Sequence, residues 1–319
     1  MLADLDLLLI AVFCTADDLL PEAAENARRR ITDAEVVTLC VAQALLGIAS
    51  DRRFLAVAAH RLSHLFPRLP QQPGYFKRRQ RLADVIEALI AEFARHCPGW
   101  EDDLLIVDST PVECARSVET VRRSQLADAA DYGYCRSHSR YFWGFRLHGL
   151  FAVDGTPRAL ALTSPKRDER DIATELLARC RRAGGETVIG DKGYVSREFA
   201  ATVTALDAHI IRPVRRDAPG RAPQRAPIRQ RIESIFWTCK DLLGLERHGA
   251  RTLHGLRVRL CQRFLALTAA REASLGSEVA AEVGAAIDRT DDAVDRDLLE
   301  AEMGTSGKGQ PTTDLIERD

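Results

Sequence analysis

Three carboxylates stand in contexts that could do chemistry. Asp108 closes the apolar run of LLIVDSTPVE, Asp191 follows a second apolar run in TVIGDKGY, and Glu233 lies in PIRQRIESIFWTCKDLLG. Gly190 and Gly193 flank the second acid and let backbone approach it closely. Carboxylates brought within about 4 Å of one another repel by roughly 4 kcal/mol per pair at an effective dielectric near 20. Such a cluster makes sense around divalent cations. Two Mg²⁺ ions roughly 3.5–4 Å apart would activate water or a 3′-hydroxyl and steady the leaving oxygen, the chemistry of phosphoryl transfer on DNA. Each acid taken singly has a plainer reading. Asp108 and Asp191 suit turns at strand ends, and Glu233 suits a solvated charged stripe.

The last segment predicts a helix from about Ile228 to Leu243. At about 100° per residue, Glu233 falls roughly 40° from Arg229 and Lys240 roughly 20° from it. Arg229, Glu233 and Lys240 therefore share one stripe, and Ile232, Ile235, Phe236, Cys239, Leu242 and Leu243 form the adjoining apolar face. Lys192 and Arg231 sit beside two of the acids as further candidates for phosphate contact. Lys77, Arg78 and Arg79 join them in the basic run after Tyr75-Phe76, for which a solvated helix start is the alternative.

The acids at 108 and 191 need strands behind them. Leu104–Val107 and Thr187–Ile189 are short apolar runs that predict buried strands, whose ends converge on one sheet edge. Trp143 to Val153 and Arg158 to Thr163 around Asp154-Gly155-Thr156-Pro157 predict a hairpin. Helices are predicted over Asp171–Arg182, Ser196–Leu206 and Leu253–Arg271, a strand over His209–Val214, and a Pro- and Arg-rich loop over 215–227. That order gives a mixed α/β sheet flanked by helices. Residues 1–98 read as a small all-helical domain. Thr32 and Glu35 form a capping box, a second helix runs from about Arg52 to Leu65, and a third from about Tyr75 to His96. The expected division is 1–98 helical and DNA-binding, 99–273 catalytic, and 274–319 an acidic tail without a packed core. Tyr132, Tyr134, Tyr141, Phe142 and Trp143 flank a loop with Arg136, His138 and Arg140, and packing is the preferred reading for these rings; Lys166, Arg167 and Arg170 after the hairpin are candidates to extend the phosphate-binding surface, diluted by Asp168, Glu169 and Asp171. His138 and His148 read as structural rather than ligating.

The chain has 319 residues, 46% of them hydrophobic, which excludes a wholly disordered protein. Its net charge of −1 hides a segregation. Residues 205–264 hold 13 basic and five acidic side chains, a net of +8, whereas 271–319 hold five basic and 13 acidic, a net of −8. Nucleic-acid binding is accordingly expected in the body, concentrated at 205–264. Of the eight cysteines no two lie closer than 17 positions, so no zinc knuckle or dithiol motif exists. That usage points to a reducing compartment, the cytoplasm. No membrane span is expected, since the longest uncharged stretch, Val36–Ser50, is shorter than a span requires.

Asp-Ser-Thr after one apolar run, Gly-Asp-Lys-Gly-Tyr after another, and Arg-x3-Glu-x6-Lys on a late helix together resemble the DDE transposases of bacterial insertion sequences. The similarity covers about residues 1–270. It implies a ribonuclease H-like catalytic domain in which Asp108, Asp191 and Glu233 bind two divalent ions, Mg²⁺ or Mn²⁺, and in which Arg229 and Lys240 contact DNA. It further implies cleavage and strand transfer at terminal inverted repeats and target DNA by a homodimer, in the bacterial cytoplasm and nucleoid. Many relatives carry Tyr three residues before the Arg, where this chain has Ala226. A ribonuclease H-like nuclease without joining activity, and a non-catalytic DNA-binding derivative of a transposase, are the competing readings.

Overall fold

The computed structural model describes residues 2–21, 31–135, 139–180, 184–194, 196–211 and 234–274. The predicted loop at 215–227, Glu233, Arg229, Arg231, Arg136, His138 and the acidic tail lie outside them.

The chain opens with α1 (Leu2–Leu19), which buries Leu8, Leu9, Val12 and Ala16 along one face. In α2 (Asp33–Leu45) the predicted capping box is formed: the Thr32 hydroxyl accepts from the Glu35 N–H, and the Glu35 carboxylate accepts from the Thr32 N–H. Eleven of its 13 residues are buried, as its nearly uninterrupted apolar sequence requires. α3 (Asp51–Arg61) is shorter than expected. The third predicted helix is two, α4 (Gln72–Arg81) and α5 (Ala83–Arg95), meeting at Leu82. No Pro or Gly marks that junction. The halves separate because α4 packs mainly on α2 and α3, whereas α5 packs mainly on the last helix and also reaches the sheet.

The sheet begins with β1 (Leu104–Ala115), which runs seven residues past Asp108, where the apolar run suggested an end. Pro111 is tolerated because β5 (Thr187–Ile189) reaches only the rung of Ile106, so β1 has a partner on one edge there. After α6 (Val118–Arg123) comes β2 (Asp131–Cys135), a strand absent from the sequence reading. β3 (Arg140–Ala152) and β4 (Pro157–Thr163) form the predicted hairpin. α7 (Glu169–Cys180), β5, α8 (Arg197–Ala205) and β6 (His209–Ile211) follow the expected order.

β3 pairs antiparallel with β1 on one edge; its other edge takes β2 along the first half and β4 along the second. β1 pairs parallel with β5, and β5 with β6. The order β4–β3–β1–β5–β6, antiparallel then parallel, is a ribonuclease H-like mixed sheet. One face carries Leu105, Val107 and Leu150 against α7 and α8. The other carries Ile106, Val112 and Phe151 against a core shared by α1, α2, α4, α5 and the closing helix α9 (Leu253–Ser274). The first 98 residues and α9 thus bury one apolar cluster in common.

A buried polar network stitches α9 into that cluster. Arg79 grips Asp51 through two bonds of 2.7 and 2.9 Å, and Arg259 reaches the same carboxylate at 2.6 Å. Gln43 adds a donor to Asp51, and its amide oxygen accepts from Tyr75 and Arg259. Burial by itself would raise the Asp51 carboxyl, but the bonded guanidinium of Arg79 prevails and holds it at about 2. Among the described residues no helix is long and apolar enough to cross a membrane.

Candidate active site

Parallel pairing sets the two aspartates level. The last β1–β5 rung joins Ile106 to Ile189, and Asp108, within β1, and Asp191, just past the end of β5, each lie two residues beyond it. Adjacent strands are about 4.8 Å apart, so equal register delivers both acids to one sheet edge. Both are half-buried and both line one cleft of about 1440 Å³. The Ser109 N–H donates to Asp108 Oδ1 at 2.7 Å. Past Gly190, the chain folds into a short turn (Lys192–Tyr194) in which Gly193 N–H donates to Asp191 Oδ1 at 2.6 Å. Gly190 is required here, since a Cβ on it would come within 2.9 Å of the Tyr194 Cβ. Tyr194 is buried beneath this turn. Burial first, then the carboxylates of Glu169, Asp108 and Asp191, push its hydroxyl well above the ordinary phenol range, so it is a neutral phenol.

The helix described from Ser234 onward meets the same cleft. Its described part starts one residue after Glu233 and continues into a wider π turn (Thr238–Leu242). Phe236 seats it on the sheet by meeting Phe151 edge-on, with centroids 5.8 Å apart. Phe151 in turn covers Gly149, the residue opposite Asp108 on β3. Phe236, Trp237 and Lys240 line the cleft with the two aspartates. Lys240 Nζ stands 3.6 Å from Glu246.

The expected DNA contacts are placed unequally. Lys192 opens the turn after Asp191, and Lys77 is exposed on α4. Arg78 is committed to Asp33 and to the Ile31 carbonyl. Arg79 is a correction: it is 1% exposed and neutralises Asp51, so it cannot meet a phosphate. The basic segment 205–264 needs the same adjustment, because Arg259 and Arg263 are buried and bonded within the fold. His148 reads correctly as structural. Burial first, and Arg146 and Arg167 after it, pull its imidazole down to about 4, so it stays neutral against the Thr163 hydroxyl.

Arg140, Arg167 and Arg170 line the cleft as well, and Arg146, which escaped the sequence, lies among them; each is paired with a carboxylate, Arg140 with Glu113, Arg146 with Glu169, Arg167 with Glu175 and Arg170 with Asp168. A lone Arg inside the apolar run Trp143–Ala152 was the available signal for Arg146. Trp237, 56% exposed, stands one turn after Glu233 on its stripe, and that spacing was its signal. Tyr132, Tyr134 and Tyr141 are exposed rather than packed inward; Phe142 and Trp143 are buried.

Among the described residues no three His, Cys, Asp or Glu side chains are grouped closely enough to hold a metal ion. The oxygen donors that are present fit one all the same. Among the described residues Asp191 has no cationic partner, and its register with Asp108 sets two carboxylates on one edge with room for an oxygen-ligated cation. No curated protein matches the chain. Two solved structures resemble it weakly: a Mos1 transposase paired-end complex with left transposon end (13% identity, 79% of this chain and 82% of that one, TM-score 0.23) and a pre-cleavage Mos1 transpososome (13%, 79% and 82%, 0.22). The family model for the transposase DDE domain matches residues 99–269, more than half of the chain and the whole span that builds this cleft. The chain belongs to the transposase DDE domain family.

Proposed function

We propose that this transposase cleaves DNA at the ends of an insertion sequence and joins them to target DNA, with Asp108, Asp191 and Glu233 as the acids that hold two divalent ions, Mg²⁺ or Mn²⁺. The observation that supports this most directly is the equal register of Asp108 and Asp191 beyond the Ile106–Ile189 rung, in a cleft reached by the helix that follows Glu233. The ions would supply charge neutralisation at the phosphoryl group and acidity to the attacking hydroxyl. The protein's part is to fix its carboxylates on strand ends. In the first step water attacks the scissile phosphorus and the 3′-oxygen leaves; in the second that 3′-hydroxyl attacks a target phosphodiester and a new 3′-oxygen leaves. We assign Lys240, Lys192, Arg229 and Arg231 as the phosphate contacts. Lys77 and Arg78 belong to residues 1–98, which we assign to holding transposon-end DNA; residues 99–273 carry the chemistry. The two ends are held by a homodimer in the cytoplasm.

Asp108→Asn and Glu233→Gln should each lower Mg²⁺-dependent strand transfer by about a thousandfold or more, as loss of a metal-binding acid demands. Undiminished transfer in either variant would sink the assignment. Supplying a pre-cut end separates joining from hydrolysis: products without a joined strand identify a nuclease instead.

A further inference from the structure

We infer that Arg146 is a positioning residue for Asp108, acting through Ser109; this rests on the reading of Asp108 as a metal-binding acid. Beyond the Ile106–Ile189 rung, β1 loses β5 as a partner, so the segment that carries Asp108 is restrained on one edge only. Side chains must fix what the missing strand does not. Arg146, from β3, is 13% exposed. Its Nη1 donates to Ser109 Oγ at 3.1 Å and contacts the Glu169 carboxylate, and its Nη2 donates to the Tyr134 carbonyl at 3.1 Å. The guanidinium also lies 6.0 Å from the Phe142 ring centroid. One planar fork thus ties β1, β2 and the start of α7 together at the cleft.

Ser109 is the intermediate. Its hydroxyl is held by Arg146, while its own N–H holds Asp108 Oδ1. A shift of the Ser109 backbone would take its N–H away from the carboxylate, and the guanidinium, by anchoring the Ser109 side chain, restrains that shift and so the direction in which Asp108 presents its oxygens. Arg146 is poorly placed to grip DNA instead, since both its terminal nitrogens already have acceptors within the protein.

The test uses the full chain and Mn²⁺ alone, with free ion counted by electron paramagnetic resonance. The site is defined as the binding that Asp108→Asn removes. Arg146→Gln should weaken that binding about tenfold, and Ser109→Ala about threefold, the smaller value because a water can replace the hydroxyl. The double variant should be no weaker than Arg146→Gln, because both cut the same link. Arg146→Lys should resemble Arg146→Gln, as an ammonium cannot span the three acceptors. Duplex DNA binding in chelator should stay within twofold throughout. Mn²⁺ affinity within twofold of the unaltered chain for Ser109→Ala, which removes one hydroxyl and cannot fail by misfolding alone, overturns the inference. A tenfold loss of DNA binding in Arg146→Gln with Mn²⁺ affinity intact does the same, making Arg146 a phosphate contact. If Asp108→Asn removes no Mn²⁺ binding, the metal site itself is refuted, an outcome distinct from failure of the Arg146 link.

Discussion

Phe236 meets Phe151 edge-on, ring centroids 5.8 Å apart, and this contact docks the helix behind Glu233 against the strand opposite Asp108. Phe236 is 6% exposed and Phe151 fully buried, so the pair joins this helix to the core as well as to the sheet. Truncating Phe236 to Ala should cost about 3–5 kcal/mol of stability, the usual range for a buried Phe. Denaturant titration measures that cost. Strand transfer below the unfolding transition should fall further than the folded fraction does, because the helix loses its seat.

Gly149 controls the same contact from below. A Cβ there would approach Phe151 Cε2 to 2.1 Å, so Gly149→Ala must displace the ring. Overpacking of this kind costs about 1–3 kcal/mol. The double variant with Phe236→Ala should be less destabilised than the sum of the singles, since one displaced ring serves both; strict additivity in urea melts would argue against the coupling.

Asp51 balances Arg79 and Arg259 inside the helical core, with 7% of its side chain exposed. Asp51→Asn leaves two guanidiniums without a counter-charge and should destabilise by about 3–5 kcal/mol. With its carboxyl lowered to about 2, against an unfolded value near 3.9, the ionised Asp51 contributes stability above about pH 4. That contribution is lost as pH falls from about 4 towards 2. Acid titration followed by circular dichroism should show the loss in the unaltered chain and a flatter profile in Asp51→Asn.

His148 sets a second pH window. Held neutral in the fold with its imidazole at about 4, it binds a proton more readily when unfolded. Between about pH 6.5 and 4 the unfolded chain carries more protons, so stability is full above 6.5 and declines as pH falls, by roughly 3 kcal/mol in all. Urea midpoints across this range should track the decline, and His148→Gln should remove most of the slope.

Local chemistry determined much of this protein. The capping box at Thr32 and Glu35, the apolar runs before Asp108 and Asp191, and the glycines around the second acid all declare their structure within a few residues. Their physical cause is short-range hydrogen bonding and burial pattern, so a linear chain displays them. The two aspartates accordingly stand out in the sequence as candidates. The third acid, Glu233, was named from its spacing to Arg229 and Lys240, and it lies outside the described residues.

The remaining features depend on partners distant in sequence. Nothing near Leu82 breaks a helix; α4 and α5 part because they bury against different neighbours. Arg79 looks like any arginine of a basic run, yet Asp51, 28 residues away, and α9, which brings Arg259, enclose it. Arg146 reaches Ser109 across 37 residues through strand pairing. The equal level of Asp108 and Asp191 is likewise a property of register, set by the Ile106–Ile189 rung. Charge type and spacing are written along the chain, but which charges are buried, paired or left facing the cleft is settled only when the sheet and its two helical layers close.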